Sequence, residues 1–514
     1  MIEIQNFPFV YPPLKHQIEE WPKKDDIVRG LLWDPGTGKS KTIIDKMVYL
    51  WLTGKIDTVI IMAKKGEYTN WKYTELPEHM PDGHAKRKVI DEYGNWDGLW
   101  EDCPFPDSVP EEYRTIPYVC EVYRSGLKEW EKQKLRDLVK PSNKLRILNI
   151  NAESMIHEGG QVARAFAKSR RKGLMFVLDE STLAKSHKSA RSKAIYAVSK
   201  FAKYRVIMTG TFSPNSPLDV WGQAEVLGHG ILGTTSFYAF KAEYCIEEMQ
   251  YFGSKNFKKI VGAKNLDQLN KRIRTFASIK ERHECIDLPP KIYKKIVVPL
   301  SDEQEEMYST MRDMAFAEFG DDTIVEAASA MEIISKLDQI AVGQLKLDDG
   351  SYRILKNHRV ESVLTQLEDS TKKAIIWCNY RGMLEHMFEE LRKNYGVQKV
   401  GRYYGGVKDD EREETVRRFQ DGGDSLQFIV ANQQSLGYGR TLTRGKENHY
   451  LSNGYNLEYR LQSEDRTMRL GQSDSVLYND YYARGTVNEK IFVSLRAKKN
   501  VMAQILGTTL REWI

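Results

Sequence analysis

The chain has 514 residues, 41% of them apolar, and its 77 Lys and Arg against 71 Asp and Glu leave a net charge of +6. That length exceeds what one hydrophobic core usually organises, so two or three domains are expected, and no apolar run approaches the roughly 18 to 20 residues of a membrane span. The opening MIEIQNFPFVYPP lacks the basic start and apolar middle of a signal peptide, so the expectation is a soluble, intracellular protein of the cytoplasm (that of a host cell, if the source is viral).

Cys103, Cys120, Cys245, Cys285 and Cys378 are scattered singly and never form a C-x-x-C pair, which argues against a disulfide scaffold and a structural zinc site. The net charge permits nucleic-acid binding without demanding it. Local clusters such as HAKRK (84–88), KSRRK (168–172) and KSHKSARSK (185–193) are more suggestive.

In chain order, a first series of short apolar strands alternates with helical stretches: VRGLLW (28–33), TVIIMA (58–63), LRILNI (145–150), LMFVLDE (174–180) and YRVIMTG (204–210). Continuous apolar runs of this length are the mark of parallel strands buried on both faces. Residues 81–123 interrupt the series with Trp, Pro and acidic residues (GNWDGLWEDCPFPDSVPEEY). They read as a surface insertion and a candidate contact for a protein partner. From about 227 to 345 the chain becomes helical and charged, as expected of an insertion and a connection. A second strand series follows: KAIIWC (373–378), LQFIVAN (426–432) and VLYNDYY (476–482). The expected division is a first α/β lobe over 1–226, a helical insertion over 227–345 and a second α/β lobe over 346–514.

Three clusters carry chemistry. In DPGTGKSKT (34–42) a buried strand ends at Trp33, a glycine-rich turn follows and a helix begins, which is the arrangement a phosphate cradle of the Walker A type requires. Gly36 and Gly38 let backbone N–H groups approach phosphate, Lys39 reaches the β and γ phosphates, and Ser40 offers a hydroxyl to Mg²⁺. Thr37 and Lys41 complete the candidate ATP ligands. Pro35 removes one N–H donor and stiffens the turn. The apolar strand LMFVLDE then delivers Asp179, placed to hold Mg²⁺, and Glu180, placed to deprotonate the attacking water. In QSEDRTMRLGQ (462–472), Gln462, Arg466 and Arg469 recur at spacings that put them on one face of a helix. Two guanidinium groups could then stabilise a departing γ-phosphoryl.

Together these residues resemble the superfamily 2 helicase-like ATPases and, within them, the Swi/Snf-type DNA translocases, over about 14–506. LKHQ (14–17) resembles the opening motif, with Gln17 as its adenine-side glutamine. DPGTGKSKT resembles D-x-M-G-L-G-K-T, a loop that also dispenses with a first glycine, so Trp33 is no fault. DESTLAKSHKSARSKA (179–194) matches D-E-x-H-x-x-K-N, and MTGTFSPNSPLDVWGQ (208–223) matches L-T-G-T-P-x-x-N-x-x-x-E-L-W, with Asn215 and Trp221 in register. In the second lobe AIIWCNYRGMLEHM, Gly405 with Arg412, SLGYGRTLT (435–443) and DRTMRLGQ resemble the corresponding motifs. Ser181 and Thr182 replace a small residue and a histidine, Tyr455, Asn456 and Leu457 stand for W-N-P, and Arg440 and Thr441 for I-N, so the resemblance is to a divergent member; with no chromatin-reading, nuclease or zinc module recognisable, the expectation is a minimal motor of phage or prokaryotic type.

The resemblance implies two RecA-like parallel-sheet lobes in tandem with a helical insertion between them, and an ATP site shared by the lobes. It adds Gln17, Gly437, Gly439 and Gln462 to the ATP ligands, makes Lys39, Asp179, Glu180, Arg466 and Arg469 catalytic, and makes Thr209, Gly210 and Thr211 the coupling element. Nucleic acid, chiefly double-stranded DNA, would be gripped mainly through phosphates by backbone amides, hydroxyls and basic side chains, the candidate positions being Lys64, Lys65, Asn70, Trp71, Asn151, Glu153, Asn379, Tyr380, Gln433 and Gln434. The expected protein is a monomeric, nucleic-acid-dependent ATPase using ATP and Mg²⁺ to move along duplex DNA. The alternatives are a strand-separating DNA or RNA helicase and, from another class, a nucleotide-dependent nucleic-acid-binding switch with vestigial hydrolysis.

Overall fold

A computed structural model describes residues 2–506, apart from 66, 91–95, 214, 253–254, 286–287, 320–326, 348, 369, 437–440 and 470–471. The chain packs as two units, the first built chiefly from Met1–Cys245 and Ala263–Asp287, the second from Ile246–Gly262 and Leu288–Ala503. No helix among the described residues is long and apolar enough to cross a membrane.

Strands of the first half are β1 (Val28–Trp33), β2 (Thr58–Ala63), β3 (Ala85–Ile90), β4 (Trp96–Cys103), β5 (Tyr118–Tyr123), β6 (Leu145–Asn151), β7 (Leu174–Asp179), β8 (Tyr204–Met208), β9 (Cys245–Phe252), β10 (Lys255–Ala263) and β11 (Ala277–Lys280). Seven of them form one sheet in the order β11-β1-β8-β7-β2-β6-β5. Every neighbouring pair in it is parallel. The central strands are predominantly apolar because helices cover both faces, and β2 and β6 are buried at every position. Ile43, Ile44, Met47 and Val48 of the helix Lys39–Leu52 pack into this core with Val59, Ile61, Val177 and Val206.

The second sheet uses β12 (Lys291–Val297), β15 (Lys373–Trp377), β16 (Val400–Tyr403), β17 (Phe428–Ala431), β18 (Gly445–Tyr450) and β19 (Val476–Tyr482), while β13 (Gln344–Lys346) and β14 (Tyr352–Ile354) make a small hairpin. Its order is β12-β19-β18-β15-β17-β16, again parallel throughout. The fold is therefore α/β with two all-parallel sheets, as expected of two RecA-like lobes.

Two segments of the stretch expected to be helical, 277–280 and 291–297, are edge strands, one on each sheet. Half of β12 faces solvent, which leaves its apolar signal too weak to mark a strand in the sequence. The region 81–123 holds the antiparallel pair β3 and β4, with Lys86 opposite Asp102 and Arg87 opposite Glu101. Both opposed pairs are ion-paired, so the basic HAKRK cluster is largely matched by the acids of its own hairpin.

Candidate functional site

The glycine-rich turn leaves the C-terminal end of β1, where ligands of parallel sheets bind. Gly36 and Gly38 have φ of 79° and 83°, the left-handed region that a side chain makes costly. Thr37 is fully buried. Its hydroxyl donates to the Asp34 carbonyl at 2.7 Å, and its own carbonyl is met by His16 Nε2 at 2.7 Å. The imidazole of His16 also meets Trp33 edge-on at 5.0 Å. Trp33 is fully buried and donates through Nε1 to Ser278 Oγ on β11 at 2.9 Å. The residue that stands where other phosphate loops have glycine is thus the end of a core strand.

Gln17 is buried and donates to the Gly38 carbonyl at 3.0 Å while accepting from the Leu14 N–H at 2.9 Å, which fixes the opening motif against the loop. Lys39 Nζ folds onto the carbonyls of Trp33, at 2.8 Å, and Asp34, at 3.1 Å. Burial lowers its pKa, opposed first by Glu180 and then by Asp179. Ser40 follows in the first turn of the helix Lys39–Leu52, whose N-terminus attracts anions. Lys41 departs from its expected role. Its ammonium is buried, paired with Asp45 at 2.7 Å and seated 4.9 Å from the centre of the Phe9 ring. Two residues beyond Lys39, the helix has turned it toward the core.

Strand β7 delivers the two carboxylates. Asp179 Oδ2 accepts from Trp71 Nε1 at 2.9 Å. Burial first, and then the Glu67 carboxylate, push Asp179 up to about 6, against the Trp71 N–H and Lys39, which favour its charged form. Glu180 sits at φ 54° and ψ 69°, a left-handed conformation that a non-glycine residue holds only when its surroundings enforce it. One of those surroundings is Thr209, whose hydroxyl donates to Glu180 Oε2 at 3.0 Å and accepts from the Thr211 N–H at 3.0 Å. Thr211 Oγ1 is itself buried without a partner among the described residues. Gly210 lies against Pro35, and a Cβ there would come within 2.6 Å of the proline Cδ. The segment Thr209 to Thr211 therefore touches both Glu180 and the glycine-rich loop. Ser181, which replaces a small residue, donates to Gln223 Oε1 at 2.6 Å and ties this turn to the helix Leu218–Leu227.

On the second unit, Gln462 and Arg466 share the helix Leu457–Thr467, but the chain leaves that helix at Met468 (φ −105°, ψ 85°), so Arg469 does not continue its face. Both arginines fold onto the chain four residues back, Arg466 Nε on the Gln462 carbonyl at 3.1 Å and Arg469 Nε on that of Asp465 at 3.1 Å. Arg469 also reaches Thr441 Oγ1 at 3.0 Å. Gln462 is buried, with its side-chain oxygen unpartnered among the described residues. Gly437 and Gly439 lie outside the described residues.

The expected nucleic-acid residues divide. Lys65, Asn70 and Gln434 are exposed and Lys64, Glu153 and Asn379 half-buried. Four others are committed within the fold. Trp71 is buried on Asp179, and Asn151 caps the turn after β6 by accepting from the Ser154 N–H at 2.8 Å. The Tyr380 hydroxyl bonds buried Asp338, and buried Gln433 donates to Asn453 Oδ1 at 3.1 Å. Except for the local cap at Asn151, these contacts join residues 20 to 108 positions apart, so spacing gave no warning of them. In the second unit a pocket of about 470 Å³ opens at the C-terminal ends of β15, β16 and β17, and Asn379, Arg381, Gly405, Gly406, Asn432 and Ser435 contribute to its lining. Arg381 lies over the Tyr404 ring there, 5.5 Å from its centre. The sequence reading missed Arg381, as it missed His16, Glu67 and Arg282.

Two parallel-sheet units, one with a phosphate loop facing paired carboxylates, define a helicase-like nucleotide-binding protein. Residues 112–344 match the SNF2-related domain family, and residues 355–471 match the helicase conserved C-terminal domain. The chain belongs to the Swi/Snf type of superfamily 2. Among curated proteins it is 26% identical over 347 residues to the mouse DNA annealing helicase and endonuclease ZRANB3, covering 65% of this chain and 30% of that one. It is 22% identical over 386 residues to the Saccharomyces cerevisiae TATA-binding protein-associated factor MOT1, covering 64% and 20%. To the putative ATP-dependent helicase/translocase YwqA of Bacillus subtilis it is 24% identical over 349 residues, covering 66% and 36%. The chain thus spans little more than a third, or less, of these relatives. A solved SWI2/SNF2 ATPase core of Sulfolobus solfataricus in complex with dsDNA aligns over 99% of this chain and 100% of that one, with TM-score 0.40 and 18% identity. The phosphate loop precedes the matched family residues, so its reading stands on its own geometry.

Proposed function

We propose that this chain is an ATP-hydrolysing motor that acts, as a single chain, on double-stranded DNA. The observation that carries the reading is the convergence of Lys39, Asp179 and Glu180 at the ends of β1 and β7, with Thr209 bonded to Glu180. The names of ZRANB3, a DNA annealing helicase, and YwqA, an ATP-dependent helicase/translocase, support it.

ATP would lay its phosphates on the N–H groups of Gly36 to Ser40, and Lys39 would exchange the Trp33 and Asp34 carbonyls for phosphate oxygens. Mg²⁺ fits the donor set: the ligands are oxygens, and burial and Glu67 make the Asp179 carboxylate a strained anion that a cation relieves. The Ser40 hydroxyl and Asp179 would hold it, and it would supply charge neutralisation at the phosphates. Glu180 takes a proton from the water that attacks the γ-phosphorus, and ADP leaves with its β-phosphate oxygen carrying the charge. Arg466 and Arg469 of the second unit are the proposed stabilisers of that charge. Thr209 would report the state of Glu180 to the rest of β8. Lys65, Asn70 and Gln434, with the pocket lined by Asn379, Arg381 and Ser435, are the proposed phosphodiester contacts. The hairpin β3–β4 supports a packed elaboration rather than a partner site, since Trp100 meets Tyr11 edge-on at 5.0 Å and Lys86 and Arg87 are paired with Asp102 and Glu101 of the same hairpin.

The test is phosphate release from ATP. Wild-type protein turns over, Lys39→Ala does not, and Glu180→Gln binds ATP without hydrolysing it. Turnover retained in Glu180→Gln removes the assigned base, and no turnover in the wild type removes the motor in favour of a nucleotide-dependent switch.

A further inference from the structure

The phosphate loop is held from a direction the sequence does not suggest. Strand β11 pairs with β1 in parallel register, Trp33 opposite Lys280, and the ladder runs one bond further as the Asp34 N–H donates to the Lys280 carbonyl at 3.0 Å. Two residues on, Arg282 turns back over the loop. Its backbone N–H donates to Asp34 Oδ2 at 2.9 Å and its Nε donates to the Pro35 carbonyl at 2.9 Å. Pro35 has no N–H, so that carbonyl is its only backbone hydrogen-bonding group. Its ring, on the other side, lies against Gly210. Arg282 is 8% exposed, a depth at which a guanidinium is retained only when its donors are used.

The same turn offers three carbonyls to cations: Lys39 takes those of Trp33 and Asp34, and Arg282 takes that of Pro35. When Lys39 moves to phosphate, two of the three lose their cation, and Arg282 becomes the remaining charged anchor of the turn.

We infer that Arg282 is a positioning residue of the nucleotide site, holding the Asp34–Pro35 turn in its binding conformation while Lys39 exchanges loop carbonyls for phosphate. This rests on the ATP-binding reading above. A loop pre-set in this way binds nucleotide without first being ordered, so its loss falls on affinity and not on the chemical step.

The experiment is ADP titration of the full chain by calorimetry, with thermal unfolding of the nucleotide-free proteins alongside, for wild type, Arg282→Gln and Arg282→Lys. Removing a charged hydrogen bond should weaken ADP by about tenfold in Arg282→Gln, raise KM for ATP similarly and leave kcat within about threefold. Arg282→Lys, which keeps a cationic donor, should recover part of the lost affinity. Unchanged ADP affinity in both variants overturns the inference, as does a fall in kcat at constant KM or an affinity loss that tracks a lowered unfolding midpoint. Wild-type protein that binds no ADP overturns the reading of the loop itself, and the role of Arg282 with it.

Discussion

Thr209 Oγ1 donates to Glu180 Oε2 at 3.0 Å, joining the end of β8 to the residue that follows β7. A carboxylate held this way has one oxygen oriented by the threonine hydroxyl, and its backbone is held in a left-handed conformation. Thr209→Val keeps the shape and removes the donor. Turnover at saturating ATP should fall about ten- to hundredfold while KM for ATP changes less than about threefold, because the bond aims the base and does not grip the nucleotide. Steady-state phosphate release measures both.

Trp71 and Asp179 make a second such pair, joined at 2.9 Å across 108 positions of sequence. The N–H favours the charged carboxylate, whose pKa burial and Glu67 have already pushed up to about 6. In the proposed mechanism the carboxylate is ionised when it holds Mg²⁺, so at subsaturating Mg²⁺ activity should fall on the acid side as Asp179 takes up a proton. Trp71→Phe removes the donor and raises that pKa further, which moves the acid limb of the pH–rate profile to higher pH. An acid limb that stays in place or moves down would show that the bond does not set this group.

Gly210 and Pro35 are in contact, with room for no side chain between them: an alanine Cβ would lie 2.6 Å from Cδ and 2.9 Å from Cγ of a ring that cannot rotate away. Gly210→Ala should therefore cost about 1 to 3 kcal/mol, expressed as a lower unfolding midpoint and weaker ATP binding. Pro35→Ala in the same chain should return part of both. Additive losses in the double variant would contradict the contact.

The strands read from the sequence are β1, β2, β6, β7, β8, β15, β17 and β19, whose buried apolar runs leave little ambiguity. Four of the strands it did not reveal are the sheet edges: β11 and β5 on the first, β12 and β16 on the second. An edge strand is wetted on one side and carries a diluted pattern. Strand β18 was missed for another reason. It is central, yet its GKENHY buries Glu447, Asn448 and His449, and Asn448 accepts from Trp377 Nε1 at 2.9 Å and donates to Thr467 at 3.1 Å. Polar residues paid for by long-range hydrogen bonds leave no hydrophobic trace.

The same distinction governs the site. Gly36, Gly38, Lys39 and Ser40 are legible because a phosphate cradle needs them within a few residues, and Asp179 with Glu180 because a strand must end on them. The length of the helix that carries Gln462 and Arg466 was not legible, and its end at Thr467 separates Arg469 from them. Lys41 was misread because spacing alone does not say that position 41 faces Asp45 and Phe9. Trp71 and Arg282 act through partners 108 and 247 positions away, beyond any local pattern.

The central claim is a motor driven by ATP on duplex DNA, and the most direct measurement is the ATP hydrolysis rate of the full chain with double-stranded DNA, single-stranded DNA and RNA in parallel. The account predicts strong stimulation by the duplex, abolished in Glu180→Gln. Stimulation by RNA alone, or by single strands in preference to the duplex, would contradict it.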